Sequence, residues 1–253
     1  MSTATFYDVL APYYHLIYES WDASIERQGN ALDSVISSYS HPSCQSILDV
    51  ACGIGTQSLG LAAHGYSVTG SDISARAIER ARSEATRRSL SIDFSVADMR
   101  AARQHHAREF DVVLCADNSL PHLLSDQEIS ACLGEFYLCT KPGGTCIVSV
   151  RDYAALERSG VQVKPYGVRV DGGTRYVLFQ VWTWRGCLYD VSFYIVRDDG
   201  GSECHTTVLR STHYAISISD IIRLMEKAGF ANVARIDDKF FQPLVVGVRP
   251  SEA

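Results

Sequence analysis

The segment Asp49-Val50-Ala51-Cys52-Gly53-Ile54-Gly55-Thr56 ends an apolar run and opens a helix-like stretch. Two glycines there let the backbone approach a ligand closely, and free N–H groups at a helix start favour anionic or polar ligand groups. The position that would complete a G-x-G-x-x-G dinucleotide fingerprint is Ser58, so the loop alone does not specify NAD. Asp72, followed by Ile73, closes the next β-branched run, where a carboxylate can accept hydrogen bonds from ribose hydroxyls. Val96-Ala97-Asp98-Met99 closes a third run, and an acceptor beside an apolar side chain suits the edge and face of adenine. At Asp72 and Asp98 the plain alternative is a solvated loop residue.

Those residues need a scaffold that brings several strand ends together. Ser46–Gly53 reads as a buried parallel strand, 56–64 as a helix, 67–72 as a strand and 74–88 as an Arg-rich helix. Strands at 92–96 and 110–116, a helix at 126–139 and a strand at 143–150 continue the alternation. It resumes with a helix at 219–228 and strands near 232–237 and 244–248. Such alternation implies a doubly wound sheet with right-handed crossovers. Between 160 and 214, long aromatic and β-branched runs separated by Arg-Gly and Arg-Asp-Asp-Gly-Gly turns predict an antiparallel meander. The first forty residues read as helix, with Trp21, Ile25, Leu32, Val35 and Ile36 in an approximate stripe.

Together, Asp-Val-Ala-Cys-Gly-Ile-Gly, the Asp72 strand end, the Ala-Asp-Met loop and Lys-Pro-Gly-Gly before the fifth strand resemble class I S-adenosylmethionine-dependent methyltransferases. The motif order covers 45–150, and the closing helix and strands extend it to the C-terminus. The resemblance implies a Rossmann-like α/β fold, a seven-stranded sheet of order 3-2-1-4-5-7-6 with the β-meander as an insertion. It implies a helical lid at 1–45, a methyltransferase domain at 46–159 and 215–253, and an insertion at 160–214 over the active site. The implied cofactor is S-adenosyl-L-methionine. Its implied binding set is Tyr14, Trp21, Asp49, Ala51, Gly53, Gly55, Asp72, Ile73, Asp98, Met99 and Cys115.

The pattern is similar in finer detail to glycine N-methyltransferase and its relatives, whose matching places read G-N-S-F-A-H-L and H-R-N-Y-D. Here Asn118, Ser119, His122, Leu123, Arg151 and Tyr153 are in register, with departures at Asp117 for Gly, Pro121 for Ala and Asp152 for Asn. The meander resembles that family's insertion, with Tyr194 near a family tyrosine, and Tyr14–Trp21 resembles its lid. Gly247-Val248-Arg249 is also the ending of sugar N,N-dimethyltransferases. Methyl transfer from a sulfonium is an in-line displacement that asks mainly for alignment and a dry pocket. The expectation is that Arg151 grips a substrate carboxylate, Asn118 orients the amine, and Tyr153, Tyr194 and Tyr14 wall the site. The alternative for Arg151 is a surface pair with Asp152 or Glu157, and His122 is either a general base or a packing histidine.

Composition narrows the partners. Lys and Arg number 23 against 29 Asp and Glu, and this net −6 argues against a general nucleic-acid binder. No apolar run approaches a bilayer span, and Met1–Leu10 lacks a basic start and an apolar core, so a cytoplasmic location is expected. The eight cysteines have no metal-ligand spacing, and His105-His106 stands without ligand partners, so no metal is expected. The expected partner is a small-molecule amine or amino acid, with neither nucleic acid nor membrane; a homo-oligomer stays open. Alternatives are an O-methyltransferase of secondary metabolism, an amino-sugar N-methyltransferase, an NAD-dependent oxidoreductase or a non-catalytic cofactor binder. Ser58, at the third glycine place, counts against the oxidoreductase.

Overall fold

The computed structural model describes residues 1–251. One mixed sheet is built from β1 (Ser46–Asp49), β2 (Ser67–Asp72), β3 (Asp93–Val96), β4 (Phe110–Cys115) and β5 (Thr140–Ser149), completed by β10 (Ala231–Ile236) and β11 (Leu244–Val248). Its order is β3-β2-β1-β4-β5-β11-β10, the expected seven-stranded arrangement. The strands from β1 to β5 pair in parallel, while β11 runs antiparallel to β5 and β10.

Strand alternation feeds a separate core on each face. Ile47, Val112, Leu114 and Ile147 pack with Leu32, Val35, Ile36 and Leu61 from α2 (Trp21–Tyr39) and α3 (Thr56–Ala63). Leu48, Val113, Cys115 and Val148 pack with Phe136, Ile221 and Met225 from α6 (Asp126–Cys139) and α7 (Ile218–Ala228). Serine hydroxyls open the helices. Ser20, Ser125 and Ser217 accept the third-residue N–H of α2, α6 and α7, and Ser74 does so for α4 (Ala75–Arg87). A short α5 (Ala102–His106) precedes β4. No described helix is long and apolar enough to cross a membrane.

The stripe on α2 serves the sheet rather than a lid. Gly29 on α2 meets Gly60 on α3, and a Cβ at either position would lie 2.8 Å from the other's Cα. Only α1 (Thr3–Leu10) and the turn Tyr14–Ile17 reach across the sheet edge toward the meander. Four strands form the meander: β6 (Val161–Asp171), β7 (Thr174–Arg185), β8 (Leu188–Asp198) and β9 (His205–Tyr214), antiparallel in that order. Its inner face joins Leu178, Phe193, Ile195 and Leu209 to Phe6, Leu10 and Leu16, and Trp182, Trp184 and Tyr189 to Tyr153.

Candidate active site

The carboxyl ends of β1 and β2, with the loop after β3, open onto a cavity of about 220 Å³ lined by Tyr14, Ala51, Gly53, Asp72, Ile73, Asp98, Met99 and His122. Gly53 holds φ +53°, and a Cβ there would come within 3.2 Å of the Tyr14 ring, so this position keeps the floor clear. Asp72 fixes the loop from below: Gly53 N–H donates to Oδ2 and Ser74 N–H to Oδ1, each at 2.9 Å. Burial raises the Asp72 pKa even so. Asp98 accepts a two-pronged bond from Arg100, at 3.0 Å from Nε and 2.6 Å from Nη2, and this holds its carboxyl below the ordinary range. A buried Asp72 carboxylate, a half-buried Asp98, an apolar Met99 and Ile73 and a glycine floor fit a nucleoside whose other end is cationic.

A second, inner cavity of about 70 Å³ adjoins the first, sharing Tyr7 and Tyr14 with it. Asp117, Asn118, Arg151, Tyr166, Tyr189 and His213 supply its polar wall. Asp117 and Asn118, just after β4, hold φ of +53° and +63°, an uncommon left-handed pair for non-glycine residues. The turn persists because both are tied to the neighbouring strand: their N–H groups donate to Ser149 Oγ at 2.7 Å and Ser149 O at 3.1 Å. The Asp117 carboxyl is held only loosely, 3.4 Å from both Tyr18 Oη and Gln242 Nε2, and burial raises its pKa. Arg151 lies over the Trp182 ring at 5.4 Å and has no carboxylate within ion-pair distance among the described residues. Outside it, a wider cavity of about 580 Å³ shares Asp117, Arg151 and Tyr166.

Comparison with known proteins matches this architecture. Residues 47–144 fit the family model of a methyltransferase domain. A glycine/sarcosine N-methyltransferase of Parasynechococcus marenigrum (strain WH8102) is 29% identical over 224 residues, 86% of this chain and 73% of that protein. A ubiquinone biosynthesis O-methyltransferase of Azoarcus sp. (strain BH72) is 33% identical over 106 residues, 42% of this chain and 43% of that protein. The structure of CalS10, an amino pentose methyltransferase from Micromonospora echinaspora, superposes with a TM-score of 0.78 at 18% identity, covering 95% of this chain and 96% of that one. Residues 47–144 thus carry a methyltransferase domain, and the chain is similar in sequence and in fold to S-adenosylmethionine-dependent methyltransferases.

The lining of the first cavity, with the Asp72 carboxylate at one strand end and Asp98 and Met99 at another, fits S-adenosylmethionine in chemical character. Four of the residues expected around the cofactor do not line that cavity. Asp49 is buried behind it, accepting from Ser58 Oγ at 2.7 Å, with burial pushing its carboxyl up to about 7. Gly55 caps α3 and faces Ala81 and Leu59. Trp21 donates to Thr56 Oγ1 at 2.9 Å with Arg80 and Arg88 over its ring. Cys115 is fully buried in the core under α6, because its side chain takes the inward alternation of β4.

The acceptor set also needs correction. Asn118 lines the inner cavity, but its Oδ1 accepts the Arg151 N–H at 3.0 Å and its Nδ2 donates to Tyr153 Oη at 2.9 Å. Its amide therefore ties the loops after β4 and β5 together, and Tyr153, fully buried, stands behind the wall. Tyr194 is on the opposite face of β8, stacked on Phe179 at 4.7 Å, because the inward positions of that strand are Tyr189, Val191, Phe193 and Ile195. Asp152 pairs with Arg235 at 2.7 Å and leaves Arg151 free. Burial, with Arg151 adding, pushes His122 down to about 4, so it is neutral at physiological pH and a weak base. Tyr7, Tyr166, Tyr189 and His213 escape motif reading; only period-two alternation in the meander and the aromatic N-terminal stretch hint at them. His105 and His106 bond Ser95 and Ser71, and no metal-ligating cluster of three or more groups occurs among the described residues.

Proposed function

We propose that the methyl acceptor is a small carboxylate-bearing amine, such as a glycine-like amino acid, and that nitrogen receives the methyl group. The observation that carries this reading is the half-buried Arg151 guanidinium, without a carboxylate partner of its own, facing a small cavity next to the cofactor cavity. A guanidinium keeps its charge and presents a fork of donors that suits a carboxylate. The likeness to a glycine/sarcosine N-methyltransferase supports the same choice.

When bound, S-adenosylmethionine supplies an electrophilic methyl group on a sulfonium. The chain's own residues do the rest. Arg151 anchors the acceptor by its carboxylate, and Asp117, loosely bonded and with a raised pKa, takes the ammonium proton so that the nitrogen lone pair is free. Asn118 and Tyr153 hold Arg151 and Asp117 in register. Tyr7 and Tyr14, common to both cavities, exclude water along the line between donor and acceptor.

Labelled methyl transfer to glycine, sarcosine, a decarboxylated amine, an amino sugar and a phenol tests the reading. Transfer to glycine or sarcosine above all others is expected; transfer confined to the phenol contradicts it. A preference for the amino sugar would favour the second reading, which the wider outer cavity around Arg151 and Tyr166 supports.

A further inference from the structure

We propose that a ring nitrogen of His213 hydrogen-bonds an oxygen of the bound acceptor, making His213 a second acceptor-binding residue beside Arg151. This rests on the inner cavity being the acceptor site. His213 sits on β9 directly opposite Tyr189 of β8 and lines that cavity. It is 8% exposed, and its Nδ1 is buried with no hydrogen-bond partner. Only four side-chain nitrogen atoms among the described residues share that condition, and His213 is the one that borders the inner cavity.

The two rings packed against it have their own partners. Tyr189 Oη is bonded to Tyr153 at 2.9 Å, and His122 Nε2 to Tyr7 at 2.8 Å. The imidazole itself is held from two sides. It stacks on Tyr189 at 5.2 Å and 18°, and its centroid lies 4.3 Å from that of His122. A buried polar atom left without a partner is unfavourable, and a phenylalanine ring would fill the same slot without that penalty. A fixed, unsatisfied imidazole in a ligand cavity is thus accounted for if the ligand completes its bonding. Burial, followed by the neighbouring His122 and Arg151, keeps the ring neutral. A neutral ring suits a hydroxyl or carboxylate oxygen, and Arg151 supplies the charge. The acceptor class is therefore an amine carrying oxygen groups that can reach both residues.

The test compares His213→Phe and His213→Gln with the wild type, using the best acceptor of the panel and S-adenosylhomocysteine. For His213→Phe we expect acceptor KM to rise at least tenfold, S-adenosylhomocysteine affinity to stay within twofold, and the ligand-free Tm to hold or rise. His213→Gln, which restores a donor and an acceptor, should recover part of the KM. An unchanged KM with a lowered Tm in His213→Phe overturns the proposal and makes His213 a packing residue. Should that variant fail to fold, His213→Leu is read by the same two measurements. If the wild type methylates a phenol instead of an amine, the proposed function fails alone, because the His213 effect on that phenol's KM still decides this inference.

Discussion

The Tyr7 hydroxyl lies 2.8 Å from His122 Nε2, joining α1 to the loop after β4 where the two cavities meet. Burial raises the tyrosine pKa far above its ordinary value and lowers that of His122 to about 4, so both partners are neutral at pH 7. The bond is therefore a neutral clasp between the N-terminal segment and the sheet. Tyr7→Phe should lower unfolding free energy by about 1 kcal/mol, since it leaves a half-buried imidazole nitrogen unpaired. It should also weaken S-adenosylhomocysteine binding several-fold. Urea unfolding and calorimetry check both; a variant matching the wild type in each would show that the clasp contributes nothing.

Arg151 separates charge from geometry. Lysine keeps the positive charge but loses the planar fork and its packing on Trp182. For Arg151→Lys we expect KM for a carboxylate-bearing amine to rise tenfold or more, about 1.4 kcal/mol at the least. KM for the decarboxylated amine should move less than threefold. Equal changes for the two substrates would mean that Arg151 does not read the carboxylate.

The doubly wound sheet is legible in sequence because each parallel strand is an apolar run closed by a turn residue and followed by a helix with 3.6-residue spacing. Strand β2 falls on the very residues that such a run predicts, and the antiparallel closing strand β11 falls on its predicted residues too. The inside of the site is less legible, for a physical reason. Both faces of the meander are apolar: Phe193 and Ile195 point toward α1, while Phe179 and Tyr194 stack on the other side. Alternation alone cannot choose between them, and only packing against Phe6 and Leu10 does. Asn118 poses a similar ambiguity, since a loop amide serves a ligand or its own scaffold equally well until its partners are known. Trp21 opens an amphipathic helix that could cover a site or line a sheet, and the Gly29–Gly60 contact decides for the sheet.

That glycine contact predicts a stability effect remote from the chemistry. A Cβ on Gly60 would stand 2.6 Å from the Ile25 carbonyl oxygen and 2.8 Å from the Gly29 Cα, both backbone atoms of α2. Neither can rotate away, so the helices must separate. Gly60→Ala should lower stability by about 1–3 kcal/mol despite the better helix propensity of alanine. Thermal unfolding measures this. The first cavity does not include Gly60, so S-adenosylhomocysteine affinity at low temperature should remain near the wild-type value.

Asp49 predicts a pH dependence of known sign. Its carboxyl, pushed by burial from an ordinary 3.8 up to about 7, holds its proton more tightly in the folded than in the unfolded chain. The folded state is thus favoured by this group below pH 4, and that advantage is lost as pH rises toward 7. Asparagine keeps the shape and removes the titration. The stability of Asp49→Asn relative to wild type should therefore climb between pH 4 and 7, with a slope approaching one proton, about 1.4 kcal/mol per pH unit, and level off above. Taking the difference between variant and wild type cancels the raised carboxyl of Asp117, which does not act on Asp49. Urea unfolding of the ligand-free protein across that range measures it. A flat difference would mean that Asp49 is ionised in the folded protein throughout, held so by the Ser58 hydroxyl that donates to it at 2.7 Å.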